Sequence, residues 1–228
     1  VMKADKIVSI VIPAYNEEDR LAETLQYLNF SWIKEIILVD DGSTDGTARI
    51  ASTFSGVNVI NNKENRGKGK AVERGIQSSA GKIIAVIDAD LGESVREIDK
   101  LVVPVITGGA EITIASLPIR GGGLGLVRKL ARYGLKVLTG QEMNSPLSGQ
   151  RVFQRQILDK IMPFQDGFGL EIAMDIAIIR NNLNYQEIEC NISHRITGQN
   201  LKGYLHRGRQ FLDILGTLLK YRVDLHTP

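Results

Sequence analysis

Over residues 1–117, short β-branched runs alternate with amphipathic stretches of helical length, and this alternation leaves few folds open. When a helix must intervene between successive strands, the strands pair in parallel and the crossovers cover the faces of the sheet. Ile7–Ile12, Ile36–Val39, Val57–Ile60, Ile83–Ile87 and Ile112–Leu117 read as strands, with helices at Glu17–Leu28, Thr44–Phe54, Lys68–Ser79 and Ser94–Ile106. Pro104 predicts a kink or an end in the last of these, because proline lacks the helical N–H. The expected class is α/β, a mostly parallel sheet flanked by helices.

Beyond Leu117 the rhythm changes. "PIRGGGLGLVRK" sets three consecutive glycines and two arginines ahead of a helix running to about Leu138, a place for a loop or a close backbone approach. "NSPLSGQRVF" gives a turn and a short strand, then helices at Arg155–Met162 and Gly169–Asn181. A strand at Tyr185–Ser193 leads into a basic amphipathic helix from about Asn200 to Tyr221. The chain reads as one domain, residues 1–228, with an acceptor-side α/β portion after residue 117.

The 228 residues are enough for one continuous core. Twenty-eight basic residues against 26 acidic ones leave no whole-molecule field of the kind a dedicated nucleic-acid binder uses, so any anion is bound locally. The single cysteine, Cys190, excludes an intramolecular disulfide and a multi-thiolate zinc site and reads as a packing residue. No apolar run approaches the roughly 18 residues needed to span a bilayer, and no signal-peptide pattern is present. A cytoplasmic location is expected.

Ligands of an open parallel sheet bind beyond the carboxyl ends of its strands, and there the polar residues gather. The first strand ends in "PAYNEE", the second in "DDGSTDGT", the third leads to "NKENRGKGKA" and the fourth ends in "DADLG". Asn16 and Glu17 suit a cap on the first helix. Asp40 and Asp41 together exceed what capping requires. Lys68 and Lys70 sit in a first helical turn, where cations oppose the helix dipole and a bound anion would remove the conflict. Asp88 and Asp90 repel unless a cation lies between them. Leaving a strand at alternate positions, both reach one side, where magnesium or manganese carrying a diphosphate supplies the missing charge. Lys68, with Arg66, would neutralise what remains.

These blocks resemble glycosyltransferase family 2 and relatives with the GT-A fold. "SIVIPAYNEE", "IILVDDGSTDGT", "NRGKGKAVERGI" and "GKIIAVIDADL" are similar to that family's nucleotide-binding half in order and spacing. The resemblance implies a metal-dependent transferase acting on a UDP-sugar, glucose being the best single hexose. Residues 1–117 would form its nucleotide-sugar half. Pro13, Ala14, Tyr15 and Glu17, with Asp40 or Asp41, would hold uracil and ribose. Gly67 and Lys68 would meet the diphosphate or the pocket floor. Asp88, Ala89 and Asp90 would be the DXD motif, Asp90 binding Mg2+ or Mn2+ and Asp88 facing ribose and sugar.

The second half resembles blocks of glucosyl-3-phosphoglycerate synthases, and its "ECNISHRITGQNLKG" also resembles dolichyl- and polyprenyl-phosphate sugar transferases. By the first likeness His194 would be a further metal ligand and Glu171 would lie beside the acceptor hydroxyl, making Asp90, Glu171 and Lys68 the catalytic set. Gly121, Gly122, Gly123, Arg128, Ser148 and Arg195 would face an anionic or phosphorylated acceptor. Asp175, one turn beyond Glu171, is free to pair with Arg180 or solvent. The Glu-Asp pair common in inverting members is absent from "DGFGLEIAMD", leaving retention or a phosphate acceptor that needs no base. The second likeness admits a peripheral contact at the inner membrane face, and a homodimer is left open. The rival classes are a non-catalytic nucleotide-sugar binder and a nucleotidyltransferase, whose early glycine-rich loop is missing. An oxidoreductase is weaker, since "GGGLGL" lacks the context of a dinucleotide fingerprint.

Overall fold

The computed structural model describes residues 6–116, 125–162, 169–192 and 212–221. Its centre is a seven-stranded sheet with spatial order β3-β2-β1-β4-β6-β5-β7. The strands are β1 (Val8–Ala14), β2 (Ile33–Asp40), β3 (Val57–Asn61), β4 (Ile83–Val86), β5 (Ile112–Ser116), β6 (Arg151–Gln154) and β7 (Tyr185–Glu189). β1, β2, β3 and β4 pair in parallel, as do β5 and β7, whereas β6 runs antiparallel to both β4 and β5.

Among the described residues the sheet is flanked by α1 (Leu21–Tyr27), α2 (Thr47–Ser52), α3 (Lys68–Gln77), α4 (Ile98–Ile106), α5 (Gly125–Thr139), α6 (Leu158–Ile161) and α7 (Gly169–Arg180). Residues 212–221 form α8. α4 continues a 3-10 turn at Gly92–Glu97 and stops two residues after Pro104, as proline predicts. No described helix is long and apolar enough to cross a membrane.

Strand alternation builds the layers. Val11, Ile84, Val86, Ile114 and Phe153 point to one face and pack with α3, α5, α7 and α8; Ile10, Ile12, Ile83, Ala85 and Val152 point to the other and pack with α1 and α4. Fully burying a side chain such as Phe153, 0 % exposed, contributes about 2–3 kcal/mol. Gly75 lets α3 lie close on the sheet, because a β-carbon there would collide with Val11. Cys190 is buried in the second layer, and burial pushes its thiol up to about 11, which suits packing and no thiolate chemistry.

Two expectations change. α1 begins at Leu21 with Arg20 at its N-cap and α2 at Thr47, so Asn16 and Glu17 stand ahead of the cap position of the first helix. They tie the first two rim loops together instead: Asn16 Oδ1 accepts from Thr44 N at 2.9 Å, and the Glu17 amide donates to Thr47 Oγ1 at 2.8 Å. β7 ends at Glu189, short of the predicted strand: Cys190, Asn191 and Ile192 follow outside any strand, and Ser193 lies outside the described residues.

Candidate active site

The reversed direction of β6 builds the site. Its pairing sets Ile83 opposite Gln154 and Val86 opposite Arg151, and carrying that register two places on brings Gly149 opposite Asp88. Residues that enter β6 therefore meet residues that leave β4, at the rim where the parallel strands end. Gly149 approaches so closely that a β-carbon would stand 2.7 Å from Lys68 Nζ and 2.8 Å from Asp88 Oδ2.

Four elements converge there. Lys68, first residue of α3, donates to Asp88 Oδ1 at 2.9 Å and to Glu171 Oε1, on α7, at 3.0 Å. Gln150 Nε2 donates to Asp88 Oδ2 at 2.6 Å. Burial pulls the Lys68 ammonium down in pKa, but the two carboxylates outweigh it and hold it above its ordinary value. Protein carboxylates thus answer the cation at the start of α3, and Lys70 pairs with Glu73 at 2.9 Å.

Behind this cluster Arg151 donates to Asp175 at 2.6 Å and to the Ser148 carbonyl at 3.0 Å. Asp175 pairs with Arg151, correcting the expectation of Arg180 or solvent. Arg180 instead donates to the Tyr221 carbonyl at 3.2 Å. Burial pushes the Asp175 carboxyl up to about 7, against the pull of Arg151 and helped by Glu171 and Glu187.

The two aspartates at the end of β2 are set differently. Asp41 accepts from Asn62 Nδ2 at 2.6 Å and from the amides of Arg66 and Gly67 at 3.0 and 2.8 Å, so it holds the loop leading into α3. Gly67 adopts φ 91° there. Asp40 is 5 % exposed, and its Oδ1 has no hydrogen-bond partner among the described residues. Pro13 and Ala14 close β1 beside it, Ala14 opposite Asp40, and Tyr15 is exposed.

Ala89 is buried and its carbonyl accepts from Thr24 at 2.9 Å, which fixes the turn between Asp88 and Asp90. Asp90 is half-buried. Ser148 is buried with no partner for Oγ among the described residues, and Arg128 lies half-buried on α5. Gly121, Gly122, Gly123, His194 and Arg195 lie outside the described residues.

Asp88 and Asp90 have the oxygen donors that a divalent cation would use. Both Asp88 oxygens face protein donors, and the carboxylate of Asp90, half-buried two residues on, is the kind of hard oxygen such a cation would take. Among the described residues no three His, Cys, Asp or Glu side chains gather as a metal cage, so phosphate oxygens and residues outside those described would complete the shell.

Gly149, Gln150 and Arg151 carry no role in the sequence reading, and Asp175 only a pairing with Arg180 or solvent. The signal for two of them was present: Arg151 opens a buried strand, and Asp175 interrupts the apolar run of α7 between Ile172 and Ile179.

The sequence model described as glycosyl transferase family 2 matches residues 9–168. The chain is 30% identical over 217 residues to a dolichol-phosphate mannosyltransferase of Pyrococcus furiosus, covering 86% of this chain and 59% of that one. It is 30% identical over 195 residues to a glucosyl-3-phosphoglycerate synthase of Mycolicibacterium smegmatis, covering 75% and 64%. The glucosyl-3-phosphoglycerate synthase of Mycobacterium tuberculosis, solved with Mn2+, UDP and glucosyl-3-phosphoglycerate, superposes with a TM-score of 0.81 at 28% identity, covering 96% of this chain and 81% of that one.

Proposed function

Because the chain belongs to glycosyl transferase family 2, we propose that it moves a hexose, glucose first, from a UDP-sugar to a phosphorylated or otherwise anionic acceptor. The observation that carries this reading is the meeting of Lys68 with Asp88 and Glu171 at the rim of the sheet. One cation between two carboxylates offers hydrogen-bond donors and acceptors to the hydroxyls of a sugar ring, and Glu171 brings the acceptor-side helix to the same point. Asp40, with its unpartnered Oδ1, is the acceptor for a base N–H.

Asp90 would hold Mg2+ or Mn2+, and the ion would offset negative charge developing on the leaving diphosphate. Lys68 adds positive charge on the same side, while Asp88 and Glu171 orient the sugar. The burial of Ala89 and the close approach of Gly149 hold Asp88 in place between the ends of β4 and β6. The mycobacterial synthases, whose solved forms carry UDP-glucose, Mn2+ and phosphoglyceric acid, support both the donor and an anionic acceptor.

A lipid-phosphate acceptor is the second reading. It is favoured by the exposed Tyr133 and Val137 on α5 and Leu212 and Leu219 on α8, which suit peripheral contact with a membrane. A screen of UDP-sugars with Mn2+, using 3-phosphoglycerate and a short polyprenyl phosphate as acceptors, tests both. Manganese-dependent UDP release with UDP-glucose and the soluble acceptor is expected. Release with the lipid phosphate alone selects the second reading, and tight donor binding without turnover selects a sensor. Asp90→Ala is expected to abolish metal-dependent transfer while leaving the thermal transition nearly unchanged; full activity in that variant sinks the metal assignment.

A further inference from the structure

We infer that Gln150 is a positioning residue that fixes Asp88, and through it the donor's sugar ring. The inference rests on the sugar-transfer reading above. Gln150 is 0 % exposed, so it does not reach a ligand directly; its Nε2 donates to Asp88 Oδ2 at 2.6 Å.

One backbone contact and its two chain neighbours keep Gln150 in place. Its carbonyl accepts from the Ala115 amide at 3.0 Å, which ties it to the end of β5. The next residue, Arg151, is locked between Asp175 and the Ser148 carbonyl. The preceding residue, Gly149, has no side chain to hold the strand away from Asp88. The amide orientation follows from chemistry, because turning it over would set an acceptor oxygen against a carboxylate.

A neutral donor at this position has a specific consequence. Lys68 already supplies one positive charge to Asp88 and shares it with Glu171. A second cation would neutralise Asp88 and weaken it as an acceptor for sugar hydroxyls, whereas the Gln150 amide fixes its rotamer and leaves its charge in place. Gln150 therefore acts on the sugar-bearing part of the donor, through an aspartate whose two oxygens are held from opposite sides.

The test uses the full chain with Mn2+ and measures affinity for UDP and for UDP-glucose, together with kcat and KM for UDP-glucose. Gln150→Met preserves length and volume and removes the donor. It is expected to weaken UDP-glucose about tenfold, the usual worth of a hydrogen bond to a charged group, with UDP affinity unchanged. Gln150→Glu is isosteric and sets a carboxylate against Asp88, so the same selective loss should be larger. A structural role alone would lower thermal stability and weaken both ligands in parallel, and that pattern overturns the inference. So does unchanged UDP-glucose affinity in either folded variant, and Gln150→Glu decides the matter if methionine prevents folding. A wild-type protein that binds neither ligand sinks the sugar-transfer reading itself, whereas a normal wild type with indifferent variants sinks only the role of Gln150.

Discussion

Arg151 donates to Asp175 across 2.6 Å with 2 % and 0 % of the two side chains exposed, and the pair lies directly behind Gln150 and Glu171. A buried pair of this kind contributes little net stability, but removing one partner leaves a charge in an apolar layer at a cost of about 3–5 kcal/mol. The pair therefore joins β6 to α7 and sets where both meet the rim.

The shifted carboxyl makes this pair visible to pH. Burial raises Asp175 to about 7 from an ordinary value of 3.8, so the folded state holds the proton more tightly than the unfolded chain. Between those values the folded state binds more protons, and stability falls as pH rises before levelling above the folded value. Urea unfolding from about pH 5 to pH 8 should show this decline in the wild type and a flatter profile in Asp175→Asn. Equal slopes in the two proteins would remove Asp175 as the source.

Lys68 is expected to matter more for turnover than for folding. Its side chain is 30 % exposed, so solvent screens the pair with Asp88, and Lys68→Met should cost only about 1 kcal/mol of stability. Without it, Asp88 and Glu171 lose the cation that holds them together, and the sugar loses the donor between them. Transfer should fall about 100-fold, the scale of losing one preorganised electrostatic group. The raised pKa keeps Lys68 charged through neutral pH; its contribution is present below the ordinary lysine value and is lost as pH rises through the folded one. The defect should therefore be flat across neutral pH, and recovery at high pH would contradict it.

Gly149 gives a steric test of the same cluster. Alanine would set a methyl 2.7 Å from Lys68 Nζ and 2.8 Å from Asp88 Oδ2, both ends of side chains that can swing away. Gly149→Ala should lower kcat/KM for the donor about tenfold or more while costing about 1–2 kcal/mol of stability by overpacking. Wild-type kinetics would show that this close approach is not needed for the reaction.

The contrast between these residues and the rest of the fold is physical. β-branched runs fix strands locally, and the alternation that separates Val11 from Ile10 and Ile12 can be read from three consecutive residues. The polar ends of β1, β2 and β4 were visible because rim residues follow directly on apolar runs. Helix starts were read too early because Ser43, Thr44 and Asp45, though suited to capping, bond partly across to Asn16 and Glu18 of another loop. Gly149 and Gln150 stayed silent because their partners depend on β6 running antiparallel, and no local pattern states a strand's direction. Arg151 and Asp175, 24 residues apart, each broke an apolar pattern, but only the register of the sheet brings them together.

Asp40 and Asp41 are adjacent in sequence and predict opposite phenotypes. Asp41 accepts from the Asn62 side chain and from the amides of Arg66 and Gly67, so Asp41→Ala leaves three donors without that acceptor and should destabilise the protein by about 2–4 kcal/mol. The loop from β3 into α3 would loosen, and Lys68 with it, lowering both stability and turnover. Asp40 has a buried Oδ1 with no partner among the described residues, so its carboxylate contributes little to the fold as it stands. Asp40→Ala should leave the unfolding midpoint within about 0.5 kcal/mol of wild type and weaken UDP by about tenfold, because the acceptor assigned to the base is gone. Thermal melts and UDP titrations on the two variants check this reciprocal pattern. A stable Asp41→Ala protein would undo the structural role, and unaltered UDP binding in Asp40→Ala would move the base elsewhere on the rim.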